Sequence, residues 1–185
     1  MVSINRRGKI DDGICGGVLL SEDVILTSGD CITDLDSNDV AKAENTSVIV
    51  FKNGVNGVKS KKFAVKEIIR HENYISDQIN ENDIGIIRLQ KGISDFYKGT
   101  DGIKFAKIHN RRLFRNKVVF LGWGKKNRID NKYQLAVSDS NISTIDKCKA
   151  LEYYNKGDGS IICSNLGSSN FYRGDFGGPL VLGSQ

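Results

Sequence analysis

Apolar residues in this chain fall into short runs, each closed off by polar, glycine-rich or asparagine-rich stretches. Runs at 18–20, 24–26, 48–51, 63–69, 84–89 and 118–121 are dominated by Val, Ile, Leu and Phe. Branched residues in runs this short, with Gly, Asn, Asp and Ser between them, predict many short strands, hence an all-β sandwich or barrel. One helix is predicted over 146–153. There Ser143 and Asp146 have capping-box spacing, and Cys148, Leu151 and Tyr154 share a face. No apolar run approaches the roughly 20 residues that span a bilayer. The first residues, Met1 to Arg7, lead into polar sequence, so no signal peptide is expected within these 185 residues, whether none existed or it has been removed.

A chain of 185 residues can bury a substantial core in one or two domains. Net charge is +5. Its basic residues cluster at Lys59, Lys61, Lys62 and Lys66, at Arg111, Arg112, Arg115 and Lys117, and at Lys125, Lys126 and Arg128. Such clusters are ordinarily solvated surface; they also suit an acidic protein or a sulfated glycan. No nucleic-acid module pattern is present. The four cysteines, Cys15, Cys31, Cys148 and Cys163, include no C-x-x-C pair, and with two histidines in the chain neither a zinc site nor another metal cofactor is expected. An even count in two local groups suggests two disulfides and an oxidising compartment, so a secreted protein. Asn45-Thr46-Ser47 and Asn141-Ile142-Ser143 are N-glycosylation sequons.

Gly174-Asp175-Phe176-Gly177-Gly178-Pro179-Leu180 is the densest local signal, with three glycines and the only proline of the chain. Read plainly, it is a tight turn feeding a strand at Leu180-Val181-Leu182. It also resembles GDSGGPL, the nucleophile loop of trypsin-like serine proteases (peptidase S1), with Phe176 in place of the serine. Further motifs follow in family order. Cys15-Gly16-Gly17-Val18-Leu19-Leu20 resembles CGGxLL. Ile25-Leu26-Thr27-Ser28-Gly29-Asp30-Cys31 resembles ILTAAHC, with Asp30 where the catalytic histidine belongs. Asn82-Asp83-Ile84 resembles the NDI that carries the catalytic aspartate, here Asp83. Gly122-Trp123-Gly124 matches GWG.

The resemblance covers nearly all of the chain. It implies a trypsin-like double six-stranded antiparallel β-barrel over 1–185, with the first barrel at about 1–100 and the second at about 101–185. It also implies disulfides Cys15–Cys31 and Cys148–Cys163. A further family disulfide is replaced by the apolar pair Val118 and Leu182. The family's activation segment upstream, and its last strands and helix downstream, are expected to be missing, leaving the second barrel incomplete at its C-terminus and the chain a fragment or a truncated product. The oxyanion hole would be built from the backbone amides of Gly174 and Phe176. Asn170 falls near the base of the specificity pocket, with Phe171 and Tyr172 placed to fill it.

At the degenerate triad positions Asp30, Asp83 and Phe176 the chemistry changes. A phenyl ring offers neither a nucleophile nor a proton, and its bulk is expected to crowd the reacting centre; a carboxylate is a weak base near neutral pH. Neither His71, in a loop resembling a non-catalytic His-x-x-Tyr segment, nor the surface residue His109 is placed to substitute. The expectation is an inactive serine protease homologue that works by binding a protein, outside the cleft and through the basic stretches 59–66 and 111–117. It would be a monomer, with no nucleic acid, membrane or cofactor involved. The central stretch from Ile68 to Ile84 is similar to mite group 3 allergen-type proteases, whose scabies mite relatives include inactivated paralogues associated with complement inhibition. Complement components are therefore implied partners. Two alternatives stay open: an active trypsin-like endopeptidase, and a basic glycan-binding surface protein. A hydrolase run by the Asp30 and Asp83 carboxylates is disfavoured, because an amide leaving group needs an acid.

Overall fold

The computed structural model describes residues 1–6, 15–34, 36–52, 59–76, 82–97, 103–110, 117–124, 135–143, 162–165 and 174–182. Six strands come from the first half of the chain. They are β1 (Val2–Arg6), β2 (Cys15–Leu19), β3 (Val24–Thr27), β4 (Thr46–Lys52), β5 (Lys59–Arg70) and β6 (Gly85–Leu89). They close into an antiparallel barrel in the order β1-β2-β3-β6-β5-β4.

Alternation dictates this closure. Val2 and Ile4 on β1, Val48 and Val50 on β4, Ile25 on β3 and Ile87 on β6 point inward and are almost completely buried. Together with Leu19, Phe63, Val65, Leu89 and Ile93 they form one core. Successive side chains on a strand face opposite ways, so a period of two puts the strand residues inside the barrel, and Ile93 joins them from the short 3-10 turn Ile93–Asp95. The 12-residue β5 serves both β4 and β6. Its register shifts between Val65 and Glu67, an irregularity of the kind that bends a strand and helps a sheet close.

Four more strands follow: β7 (Lys117–Gly122), β8 (Ala136–Ile142), β9 (Ser164–Asn165) and β10 (Leu180–Leu182). They form a sheet in the order β10-β7-β8-β9. Val118 and Leu182 are direct cross-strand partners. An apolar pair thus stands where the family resemblance placed a disulfide. The indole of Trp123 joins this sheet to the barrel: its N–H donates to the Val2 carbonyl at 2.8 Å, and its ring lies 4.7 Å from that of Phe51.

β1, β8 and β9 were not anticipated from the apolar runs. Only Val2 and Ile4 of β1 are large apolar residues, and β8 (AVSDSNI) is mostly polar, with Ser140 and Ile142 as its buried residues. The helix expected over 146–153 lies outside the described residues, as do Arg111, Arg112, Arg115, Lys125, Lys126 and Arg128. No helix among the described residues is long and apolar enough to cross a membrane.

Candidate functional site

The barrel and the second sheet meet where the loop at 174–179 lies against β2 and the segment after β3. Gly16 N–H donates to the Phe176 carbonyl at 2.7 Å. Gly177, at φ +72°, is lodged so closely that a Cβ there would stand 2.4 Å from the Gly16 carbonyl, 2.4 Å from Thr27 Oγ1 and 3.2 Å from Cys31 Sγ. Behind the loop, Asp175 is buried, and its Oδ1 accepts the Gly124 N–H at 2.8 Å. The carboxylate fills the space between Gly122 and Gly124; a Cβ on Gly122 would come within 1.9 Å of it. The Gly178 N–H donates to the Asp175 carbonyl at 3.0 Å, and Leu121 N–H to the Pro179 carbonyl at 3.1 Å. The loop is thus fixed by backbone bonds on both sides. Phe176, between those anchors, is 53 % exposed.

Asp30 opens a short 3-10 turn, Asp30–Ile32, one residue before Cys31. Cys15 and Cys31 are joined by a disulfide, which ties that turn to β2. Asp30 N–H donates to Asp83 Oδ1 at 2.8 Å, and the Tyr74 hydroxyl donates to Asp30 Oδ1. Burial pushes the Asp83 carboxyl above the ordinary carboxylate range, and the negative charge of Asp30 adds to this. The N–H groups of Asp30 and Gly29 pull the other way. Tyr74 is also raised, chiefly by burial and then by its bond to Asp30 and the two carboxylates, with Arg70 opposing. Arg70 lies 5.3 Å from the Tyr74 ring centroid.

The junction therefore brings together two carboxylates and a phenol, and the loop carrying an exposed phenyl ring packs beside the disulfide next to them. Neither histidine side chain bonds to them; the one link is through backbone, where the Tyr74 N–H donates to the His71 carbonyl at 3.1 Å. His71 is exposed, and its Nδ1 accepts the Asn73 N–H at 3.2 Å, which shapes its own turn. His109 is exposed at 103–110. Tyr74 is the participant that sequence reasoning misses: the His-x-x-Tyr spacing is visible in the chain, but nothing local connects Tyr74 with Asp30, 44 residues away. Asn170, Phe171, Tyr172 and Cys148 lie outside the described residues; Cys163 is disulfide-bonded. Among the described residues no three His, Cys, Asp or Glu side chains are grouped to hold a metal ion.

The Trypsin family model matches residues 1–185. The chain belongs to the trypsin family. Trypsin epsilon of Drosophila erecta is 27 % identical over 188 residues, covering 100 % of this chain and 68 % of that protein. Trypsin Blo t 3 of the mite Blomia tropicalis is 24 % identical over 187 residues, covering 97 % of this chain and 66 % of its own length. The chain thus spans about two thirds of the relatives it matches. The structure of neuropsin, a serine protease expressed in the limbic system of mouse brain, superposes with a TM-score of 0.72 at 22 % identity, covering 98 % of this chain and 76 % of neuropsin. That likeness carries the trypsin fold: a closed six-stranded barrel with a second, partial sheet beside it.

The environment of Asp83 sets a pH dependence in this trypsin-family barrel. Its raised folded-state pKa means that its contribution to stability is fully present below the unfolded pKa and is lost as pH rises through the folded value. Asp83→Asn keeps an acceptor for the Asp30 N–H and removes the charge. The variant is expected to be more stable than wild type at pH 7, with the difference shrinking as pH falls toward 4. Urea midpoints across that range test it, and a variant less stable than wild type at pH 7 would refute it.

Proposed function

We propose that this member of the trypsin family is catalytically inactive and acts by binding a protein. The observation that supports this most is the bonding at Asp30. The position that resembles the family's general base holds a carboxylate, its backbone bonded to Asp83 and its Oδ1 bonded to the Tyr74 hydroxyl. Without an imidazole there is no group to take a proton from a nucleophile and return it to the leaving amine. At the nucleophile position Phe176 has no attacking atom. Members of a catalytic triad act as a unit, so restoring one should recover little.

The binding surface we favour is the exposed lysine-bearing part of β5, where Lys61, Lys62 and Lys66 are exposed and Lys61 Nζ sits 5.4 Å from the Phe63 ring centroid. A rigid barrel holding a basic face suits an acidic partner. Complement components are the partners to test first, in keeping with a disulfide-bonded protein that acts in a secreted setting. The same face would serve a sulfated glycan, which is the second reading.

A fluorophosphonate titrant and a peptide amide substrate test the catalytic half. Neither labelling nor turnover is expected from wild type or from Phe176→Ser. Substantial turnover by Phe176→Ser would overturn the role given to Asp30, and labelling of the wild type would favour an active peptidase. Lys61→Glu/Lys62→Glu should weaken binding to complement proteins and reduce its salt dependence. Unchanged binding by that variant would remove β5 from the interface.

A further inference from the structure

Asn45 and Asn141 head sequons with the same terminal residue, Ser47 and Ser143, so the distinction between them is structural. Asn45 ends a short 3-10 turn, Ala43–Asn45, immediately before β4, and is exposed. Its N–H donates to the Lys42 carbonyl at 3.1 Å, and the Thr46 hydroxyl bonds that same carbonyl at 3.0 Å. This turn lies outside the strand ladders. Asn141 is also exposed but lies within β8, the strand between β7 and β9, opposite Lys117 on one side and Asn165 on the other. Cross-strand partners hold their Cβ atoms about 5 Å apart, so a large substituent on Asn141 competes with Lys117 for the same space.

Beside Asn45 the surface opens into a groove of about 320 Å³ lined by Glu44, Asn45, Thr46, Ser47, Lys62, Phe63 and Ala64. Glu44 and Lys62 are both exposed at it, one an acceptor and the other a donor. A polyhydroxylated ligand needs such mixed polar partners, and a groove that opens to solvent lets the rest of an oligosaccharide continue outward.

We propose that Asn45 carries an N-linked oligosaccharide whose first residues lie in this groove between Glu44 and Lys62. In the attachment step Asn45 Nδ2 attacks the anomeric carbon of a lipid-diphosphate-linked oligosaccharide. The N–C bond forms, the C–O bond to the diphosphate breaks, Nδ2 loses one proton, and the lipid diphosphate leaves with the bonding electrons. The donor and its transferase belong to the secretory pathway, the compartment in which disulfides such as Cys15–Cys31 ordinarily form. The sugar would partly cover Lys62 and so limit the basic face of β5.

The test uses the full chain secreted from a eukaryotic host. Peptide mapping after peptide N-glycosidase F should find Asn45 converted to Asp, and intact mass should fall by one glycan in Asn45→Gln and in Ser47→Ala, but not in Ser47→Thr. Mapping of the wild type keeps the test valid should a variant fail to fold. For the groove, an amine-reactive ester should label Lys62 severalfold faster after enzymatic deglycosylation of the native protein. An unmodified Asn45, or a glycan on Asn141 alone, would overturn the attachment. Equal labelling of Lys62 before and after deglycosylation would overturn the seating.

Discussion

Gly177→Ala is expected to destabilise the protein by roughly 2–4 kcal/mol, on two grounds. The backbone sits at φ +72°, where an L side chain is strained by about 1–2 kcal/mol. In addition, the new Cβ would lie 2.4 Å from the Gly16 carbonyl and 2.4 Å from Thr27 Oγ1. The carbonyl is backbone in β2 and cannot swing aside, so the loop must lift. Lifting it stretches the Gly16–Phe176 hydrogen bond and disturbs the seat of Asp175 against Gly124. Part of that loss is the buried Gly16 N–H, since a buried N–H left without its acceptor costs about 1–3 kcal/mol. Urea denaturation measures the loss; a midpoint equal to wild type would show that the loop does not dock as described.

Removing the Cys15–Cys31 bridge is the second large effect. The paired residues are 16 positions apart, and closing a loop of that size restricts the unfolded chain by about 3 kcal/mol in the chain-entropy description. Cys31 is buried at 3 % exposure, so Cys15→Ala/Cys31→Ala also forfeits packing. The double variant should unfold at a clearly lower urea concentration than wild type. Because the Cβ position of Gly177 lies 3.2 Å from Cys31 Sγ, the two perturbations share atoms, and combining them should cost less than their sum. A disulfide-free variant as stable as wild type would contradict this account.

Most of the barrel was legible because β2 to β6 bury branched residues in runs whose inward positions repeat every second residue. β1 was not: Val2 and Ile4 supply only two large apolar residues, and the strand gains its place by pairing with β4 through five residue pairs. β8 is harder still, since its backbone pairs with β7 while its side chains are largely solvent-facing. Strand propensity reports packing against neighbours, and neighbours distant in sequence cannot be read locally.

The site divides the same way. Asp30, Asp83 and Phe176 were legible as positions in short motifs. Their partners were less so. Tyr74 reaches Asp30 across 44 residues, and Gly124 holds Asp175 across 51; only the fold brings these together. The expectation that Phe176 crowds the reacting centre rested on side-chain size alone. In the structure, backbone bonds on both sides fix where the residue stands, and Phe176 is exposed.

The hydrogen bond from Trp123 to Val2 spans 121 residues, whereas all six strands of the barrel are supplied by residues 2–89. During synthesis every barrel partner has been translated before Lys117 exists. All the strand partners of the barrel are therefore available while the second sheet is still being made. Loop-closure entropy makes the longest-range contacts late ones. The contact that joins the two halves, an indole from the later half on the first strand of the earlier one, can form only once both have been made.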